Sequence, residues 1–305
     1  MRFPDAPARG DSGGRLPDRP VRLRDRDADR RQPGRVPRGP GAGLDHLRGR
    51  EEQDPSGPRH PQLHPSGAAV LGKECAAMSE AEFDRFATDY RQVLDKTLAV
   101  SGENASYFAS GRLAWLRRVL GAEADAVARL LDFGCGPGHV TPFLLESFPS
   151  AALIGMDVSA KSIAEAAAQY GGPRARFVTP EEWASGERVD LAHCNGVFHH
   201  IPVADRPGAL RVIREALREG GRFALFENNA LNPVVRWAMD RCPFDTDAIP
   251  IRPGEAVRMV REAGFVVERV DHLFFFPRPL AFLRPIEPAF HKIPMGGQYL
   301  VLARR

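Results

Sequence analysis

Residues 130–141 read LLDFGCGPGHVT, an apolar run that ends in Asp132 and enters a turn with glycine at alternate positions, Gly134, Gly136 and Gly138. Glycines at that spacing let the backbone bend tightly and approach a ligand with no Cβ in between. A helix expected to open at about His139 points its free N–H groups into the same crevice. A crevice of this kind, beyond the carboxyl end of the first strand of an open α/β sheet, binds small-molecule cofactors. Asp157 ends the next apolar run (IGMDVS), about 20 residues beyond the turn, where an acid accepts hydrogen bonds from ribose hydroxyls. Its other reading is a helix N-cap, but Ser159 is already available for that task. A third stretch, VDLAHCNGVFHHIP, sets Asn195 and Gly196 at a strand end with His199 and His200 just beyond. A histidine there can deprotonate an acceptor hydroxyl, because its ordinary pKa lies near physiological pH. It can equally cap a helix or pack the pocket. His193, within the strand, reads as structural. A zinc cluster of His193, Cys194, His199 and His200 is disfavoured, since successive strand residues point to opposite faces.

The elements that must position these groups alternate. Strands are expected at 128–133, 152–157, 175–179, 189–194 and 222–227, with helices opening near 159, 205 and 253. The helices that open near 159, 205 and 253 stop at Gly171, Gly220 and Gly264. Two β-rich runs, 265–276 and 298–303, close the chain. Ahead of the first strand, Ser79–Glu82 forms a capping box for a helix through Phe83, Phe86 and Tyr90. A second helix is expected over about 104–120. Alternation of this kind specifies an α/β doubly wound parallel sheet.

The glycine pattern separates cofactor classes. In a dinucleotide fingerprint, G-x-G-x-x-G, the third glycine would fall on His139; here it comes one residue early, and an acid stands two positions before the first glycine. This D-x-G-x-G-x-G turn resembles motif I of the class I S-adenosylmethionine-dependent methyltransferases. LREGGRFALFENN resembles that family's motif around its fifth strand, and the likeness extends over roughly 107–305. The resemblance implies a Rossmann-like seven-stranded sheet with an antiparallel last strand, and S-adenosylmethionine as the cofactor. It places cofactor contacts at Asp132, Gly134, Cys135, Gly136, Gly138, Asp157, Val158 and Asn195. Asp132 would set negative charge near the ammonium and sulfonium. His199 and His200 become the catalytic candidates, and no metal ligand is implied. The loop VTPEEW lacks the family's usual adenine contact, with Glu181 and Glu182 as stand-ins or helix-start acids. Glu227, Asn228 and Asn229 end the fifth strand on the ligand side. Two alternatives share parts of the pattern: an NAD(P)-dependent oxidoreductase, and a non-catalytic S-adenosylmethionine-binding protein.

The acceptor should be recognised elsewhere. Residues 229–253 form a long insertion after the fifth strand, and 274–296 join the last two strands with many Phe, Leu and Pro and with Arg278, Arg284 and Lys292 interspersed. The segment 274–295 reads either as a flap packed on the domain or as a membrane-peripheral surface that grips a lipid-linked acceptor. Residues 78–120 would form a helical lid carrying Tyr90 or Tyr107. The acceptor is thus a small molecule or a lipid- or sugar-linked intermediate.

Charge excludes nucleic acid as the main partner. Residues 1–77 hold 15 Lys and Arg against 11 Asp and Glu, whereas the rest holds 27 against 28. The first 77 residues are rich in Arg, Pro, Gly and Asp, contain no Ile, Tyr, Trp, Asn or Thr, and are expected to be disordered. They lack the apolar region of a secretory signal. Met78 is the expected natural start, with 78–305 as the methyltransferase-like domain. The scattered Cys75, Cys135, Cys194 and Cys242 form no C-x-x-C pair and suit a reducing cytoplasm.

Overall fold

The first strand, β1 (Arg129–Phe133), is an interior strand of a seven-stranded sheet. The computed structural model describes residues 97–183, 186–242, 245 and 247–305, all within the compact unit Pro61–Arg305. The expected disorder of 1–77, the capping box at Ser79 and the first lid helix lie outside the described residues.

The other strands are β2 (Ala152–Met156), β3 (Ala175–Val178), β4 (Val189–Asn195), β5 (Leu217–Asn228), β6 (Val266–Leu273) and β7 (Gln298–Arg304). They stand in the order β3-β2-β1-β4-β5-β7-β6. β1 to β5 pair in parallel, and β7 enters antiparallel to both β5 and β6. The doubly wound sheet and its reversed last strand are as expected. The strand order changes direction between β1 and β4, the switch point beside which ligands bind.

Both faces of the sheet are covered, so the strands are apolar on both sides. Leu130, Leu153, Leu191 and Ala224 face α1 (Ala105–Leu120) and α2 (Thr141–Ser147), while Leu131, Ile154, Ala192 and Leu225 face α4 (Arg206–Ala216) and α6 (Pro253–Glu262). α3 (Ala160–Tyr170) adds Ile163 and Ala166 to the first of these cores. Asn104 caps α1 by accepting from the Tyr107 N–H at 3.0 Å, and Ser159 caps α3 by accepting from Ser162 at 3.1 Å.

Two boundaries and one element differ from expectation. α2 opens at Thr141 rather than His139, because Gly138 takes φ 81° and extends the turn. α4 stops at Ala216, not Gly220; Leu217 is already extended (ψ 144°) and pairs with Val189. The insertion after β5 holds a short helix, α5 (Pro233–Met239), capped by Asn232.

Candidate active site

The three glycines of the 134–138 turn all have positive φ, each for its own reason. A Cβ on Gly134 would lie 2.3 Å from Val197 in the loop after β4, and one on Gly138 would lie 2.8 Å from Tyr170 of α3. These two glycines permit close packing. A Cβ on Gly136 would meet nothing within 4 Å, so this residue faces the open crevice. The Gly134 and Cys135 N–H groups donate to the Met156 carbonyl at 2.8 and 3.0 Å, which ties the turn to β2.

Asp157 crosses to the same turn. One carboxylate oxygen accepts from the Gly136 N–H at 2.8 Å, and the other accepts from the Ser159 N–H at 3.0 Å. Burial raises its carboxyl pKa, partly offset by these backbone hydrogen bonds. Val158 and Asn195 are partly buried at the same edge, while the Cys135 thiol is buried and pushed well up by desolvation, with the neighbouring acids adding to it.

Asp132 has a partner of its own inside the sheet. It is 3% exposed and pairs at 2.7 Å with His193 Nδ1, its direct neighbour across β1 and β4. One of its carboxylate oxygens is thus engaged within the sheet by a histidine whose Nε2 is buried without a partner among the described residues. Glu182 accepts from the Thr179 N–H at 2.9 Å, which makes it a turn cap.

A second cluster gathers at the ends of β4 and β5. His199, 3% exposed, sets Nδ1 2.5 Å from a Glu227 oxygen, while the other Glu227 oxygen accepts from the Phe198 N–H at 2.9 Å. His199 Nε2 lies 3.5 Å from Asp245, and His200 Nε2 lies 3.6 Å from the same oxygen. Burial alone would lower the pKa of His199, but Glu227 and Asp245 outweigh it and raise the value to about 10. Burial, reinforced by the His199 charge, lowers His200 to about 4. Two adjacent histidines thus hold opposite protonation states. Asp245 escaped the sequence reading. It belongs to the insertion after β5, and that loop is brought back by the backbone bond from Ile249 N–H to the His199 carbonyl (2.7 Å) and by the Arg206 guanidinium, which donates to the Ile249 carbonyl at 3.1 Å.

Asn228 and Asn229 do not join this cluster. Asn228 accepts from Gln298 at 3.2 Å, and the Asn229 amide donates to the carbonyls of Pro294 and Gly296 at 3.1 and 2.8 Å. Tyr107 lines a groove of about 740 Å³ between α1 and the segment after β6, where its ring meets Phe274 and lies 4.5 Å below the Arg284 guanidinium.

Residues 131–223 match the family model for a methyltransferase domain. The trans-aconitate 2-methyltransferase of Rhodopseudomonas palustris (strain BisB5) is 33% identical over 102 residues, 33% of this chain and 38% of that protein. The enzyme of the same name from Mycolicibacterium gilvum (strain PYR-GCK) is 28% identical over 160 residues, 48% of this chain and 61% of that protein. The chain spans less than two thirds of the length of either relative. A solved S-adenosylmethionine dependent methyltransferase from Mesorhizobium loti is 22% identical and covers 65% of this chain and 100% of its own, with a TM-score of 0.46.

Proposed function

We infer that this chain, which carries a class I S-adenosylmethionine-dependent methyltransferase domain, transfers a methyl group to an oxygen of a small-molecule acceptor. S-adenosylmethionine is the methyl donor of the family. The observation that carries the reading is that two groups of residues share one edge of the sheet. The Gly136–Asp157 pair stands at the ends of β1 and β2, and the His199–His200–Asp245 cluster stands beyond β4 and β5. Between them runs the switch point of the strand order.

The residues fit that donor. The open side of Gly136 lets a ligand approach the turn backbone, and Asp157 retains lone pairs for ribose hydroxyls beyond the two it spends on N–H groups. When bound, S-adenosylmethionine supplies a methyl group activated by a sulfonium. The chain must then hold the acceptor oxygen about 3–3.5 Å from that methyl, in line with the departing sulfur, and exclude water. His199, oriented by Glu227, and His200 with Asp245 form the polar wall that receives the acceptor hydroxyl, and of the two histidines the neutral His200 is the one able to take its proton.

The acceptor itself is the finer part of the proposal. trans-Aconitate, from the names of the relatives, is one compound to assay, although the matched segment is about a third of this chain. Radiolabelled methyl transfer into small-molecule fractions of a cell extract, with trans-aconitate assayed beside it, tests the function. Labelled product is expected; S-adenosylmethionine binding with no transfer to any fraction would leave a non-catalytic binder. Calorimetry showing NAD bound in preference to S-adenosylhomocysteine would favour the oxidoreductase alternative.

A second reading, peripheral membrane contact through 274–295, is favoured by one observation. Phe282 is 74% exposed within the 3-10 helix Arg278–Ala289, near Leu280 and Ile286. Against it, Arg284 is paired with Glu103 at 2.9 Å and Lys292 with Asp271 at 2.9 Å, so these cations already serve the fold. Among the described residues, no helix is long and apolar enough to cross a membrane. Flotation with anionic vesicles decides: co-flotation that Phe282→Ser abolishes supports contact, and its absence removes it.

A further inference from the structure

We propose that His199, His200 and Asp245 form a binding site for a divalent transition-metal ion of the zinc type, with Glu227 as the positioning carboxylate. One ligand atom from each of the three residues lies within 4.8 Å of the others. Ligands about 2.0–2.1 Å from a tetrahedral ion stand about 3.4 Å apart. The two separations to Asp245, 3.5 and 3.6 Å, match that edge. Two imidazoles and a carboxylate form a borderline ligand set that suits zinc, cobalt or nickel better than magnesium or calcium.

The surroundings are built for it. Glu227, 2% exposed, receives His199 Nδ1 at 2.5 Å, which fixes the ring and turns Nε2 toward Asp245. A carboxylate behind the distal nitrogen is the usual device that orients a metal-bound histidine and makes it a better donor. Glu227 is held in turn by the Phe198 N–H at 2.9 Å. Asp245 is delivered by a loop whose backbone is bonded to the His199 carbonyl through Ile249 at 2.7 Å. Three protein ligands leave the fourth tetrahedral position open, as in catalytic rather than structural sites. If the proposed function holds, that position takes the acceptor oxygen and favours its ionised form; the metal site itself does not depend on that reading.

The test uses the full chain, stripped with a chelator and titrated with Co²⁺ alone, followed by visible absorption. One equivalent is expected to bind with the intense bands of tetrahedral Co²⁺, and Zn²⁺ should bleach them. His200→Gln and Asp245→Ala, both on the less buried side of the cluster, should each weaken binding by more than about 100-fold, while Glu227→Gln should weaken it about 10–100-fold at unchanged stoichiometry. Circular dichroism on each variant checks folding, and either of the first two suffices if the other fails to fold. Absence of saturable Co²⁺ binding would overturn the proposal, as would binding that survives both His200→Gln and Asp245→Ala. S-adenosylhomocysteine calorimetry on the same protein keeps the two readings apart. Loss of nucleoside binding with Co²⁺ binding intact counts against the proposed function alone, and the reverse counts against the metal site alone.

Discussion

Asp132 and His193 are direct neighbours across the parallel pair β1–β4, and their side chains meet at 2.7 Å at 3% and 1% exposure. The acid of the glycine motif is therefore a buried strand-to-strand bond at the switch point. Removing one member of such a buried hydrogen-bonded pair leaves the other unsatisfied, which costs about 1–3 kcal/mol. Asp132→Asn is thus expected to lower stability by about 1–3 kcal/mol in denaturant titration. A double cycle with His193→Leu should return a coupling of about 1–3 kcal/mol. Additive effects of the two substitutions would show that the contact carries no energy of its own.

The glycines of the turn should separate packing from binding. Gly134→Ala and Gly136→Ala share the strain of a left-handed backbone, about 1–2 kcal/mol. Gly134→Ala adds a collision with Val197 at 2.3 Å, worth about 1–3 kcal/mol more, and should melt at the lower temperature. Gly136→Ala collides with nothing among the described residues, yet should weaken S-adenosylhomocysteine binding at least tenfold, or about 1.4 kcal/mol. Melting curves and calorimetry on both variants check the order; the reverse order would contradict this division of roles.

Asp157 joins the turn to the ribose side. Asp157→Asn replaces one acceptor oxygen with an amide that faces an N–H donor, either Gly136 or Ser159. Affinity for S-adenosylhomocysteine should fall about 10–100-fold, or about 1.4–2.8 kcal/mol. Asp157→Glu should not rescue it, because the longer side chain cannot keep both backbone bonds. Calorimetric titration of the two variants measures this.

Asp271 predicts a pH dependence of stability. It is fully buried on β6, with the Trp115 indole N–H at 2.9 Å, the Arg269 guanidinium at 2.6 Å and Lys292 at 2.9 Å. Burial by itself would raise its carboxyl pKa, but these three donors outweigh it and hold the group below the ordinary 3.8. A depressed carboxyl contributes stability that is complete above the unfolded-state value and is lost as pH falls toward the folded one. Melting temperature should therefore decline below about pH 4. Asp271→Asn should flatten that decline and cost roughly 2–3 kcal/mol at neutral pH, mostly from Trp115 and Arg269, since exposed Lys292 adds little. An unchanged acid limb in the variant would assign the decline to other carboxylates.

The sequence by itself determined what depends on neighbours along the chain. Alternating apolar runs specified the β and α units, and the spacing of Gly134, Gly136 and Gly138 after a strand marked the cofactor turn. Ser159 and Asn104 announced helix starts, because a cap acts within one turn. Tertiary structure alone decided which polar groups meet. Asp132 and His193 stand 61 residues apart, and only strand register sets them side by side. Glu227 reaches His199 through the neighbouring strand, and Asp245 reaches it through a loop folded back onto the His199 carbonyl. Local periodicity carries no record of such pairings. They form because the folded sheet brings distant strand ends to one edge, where buried polar groups must find partners.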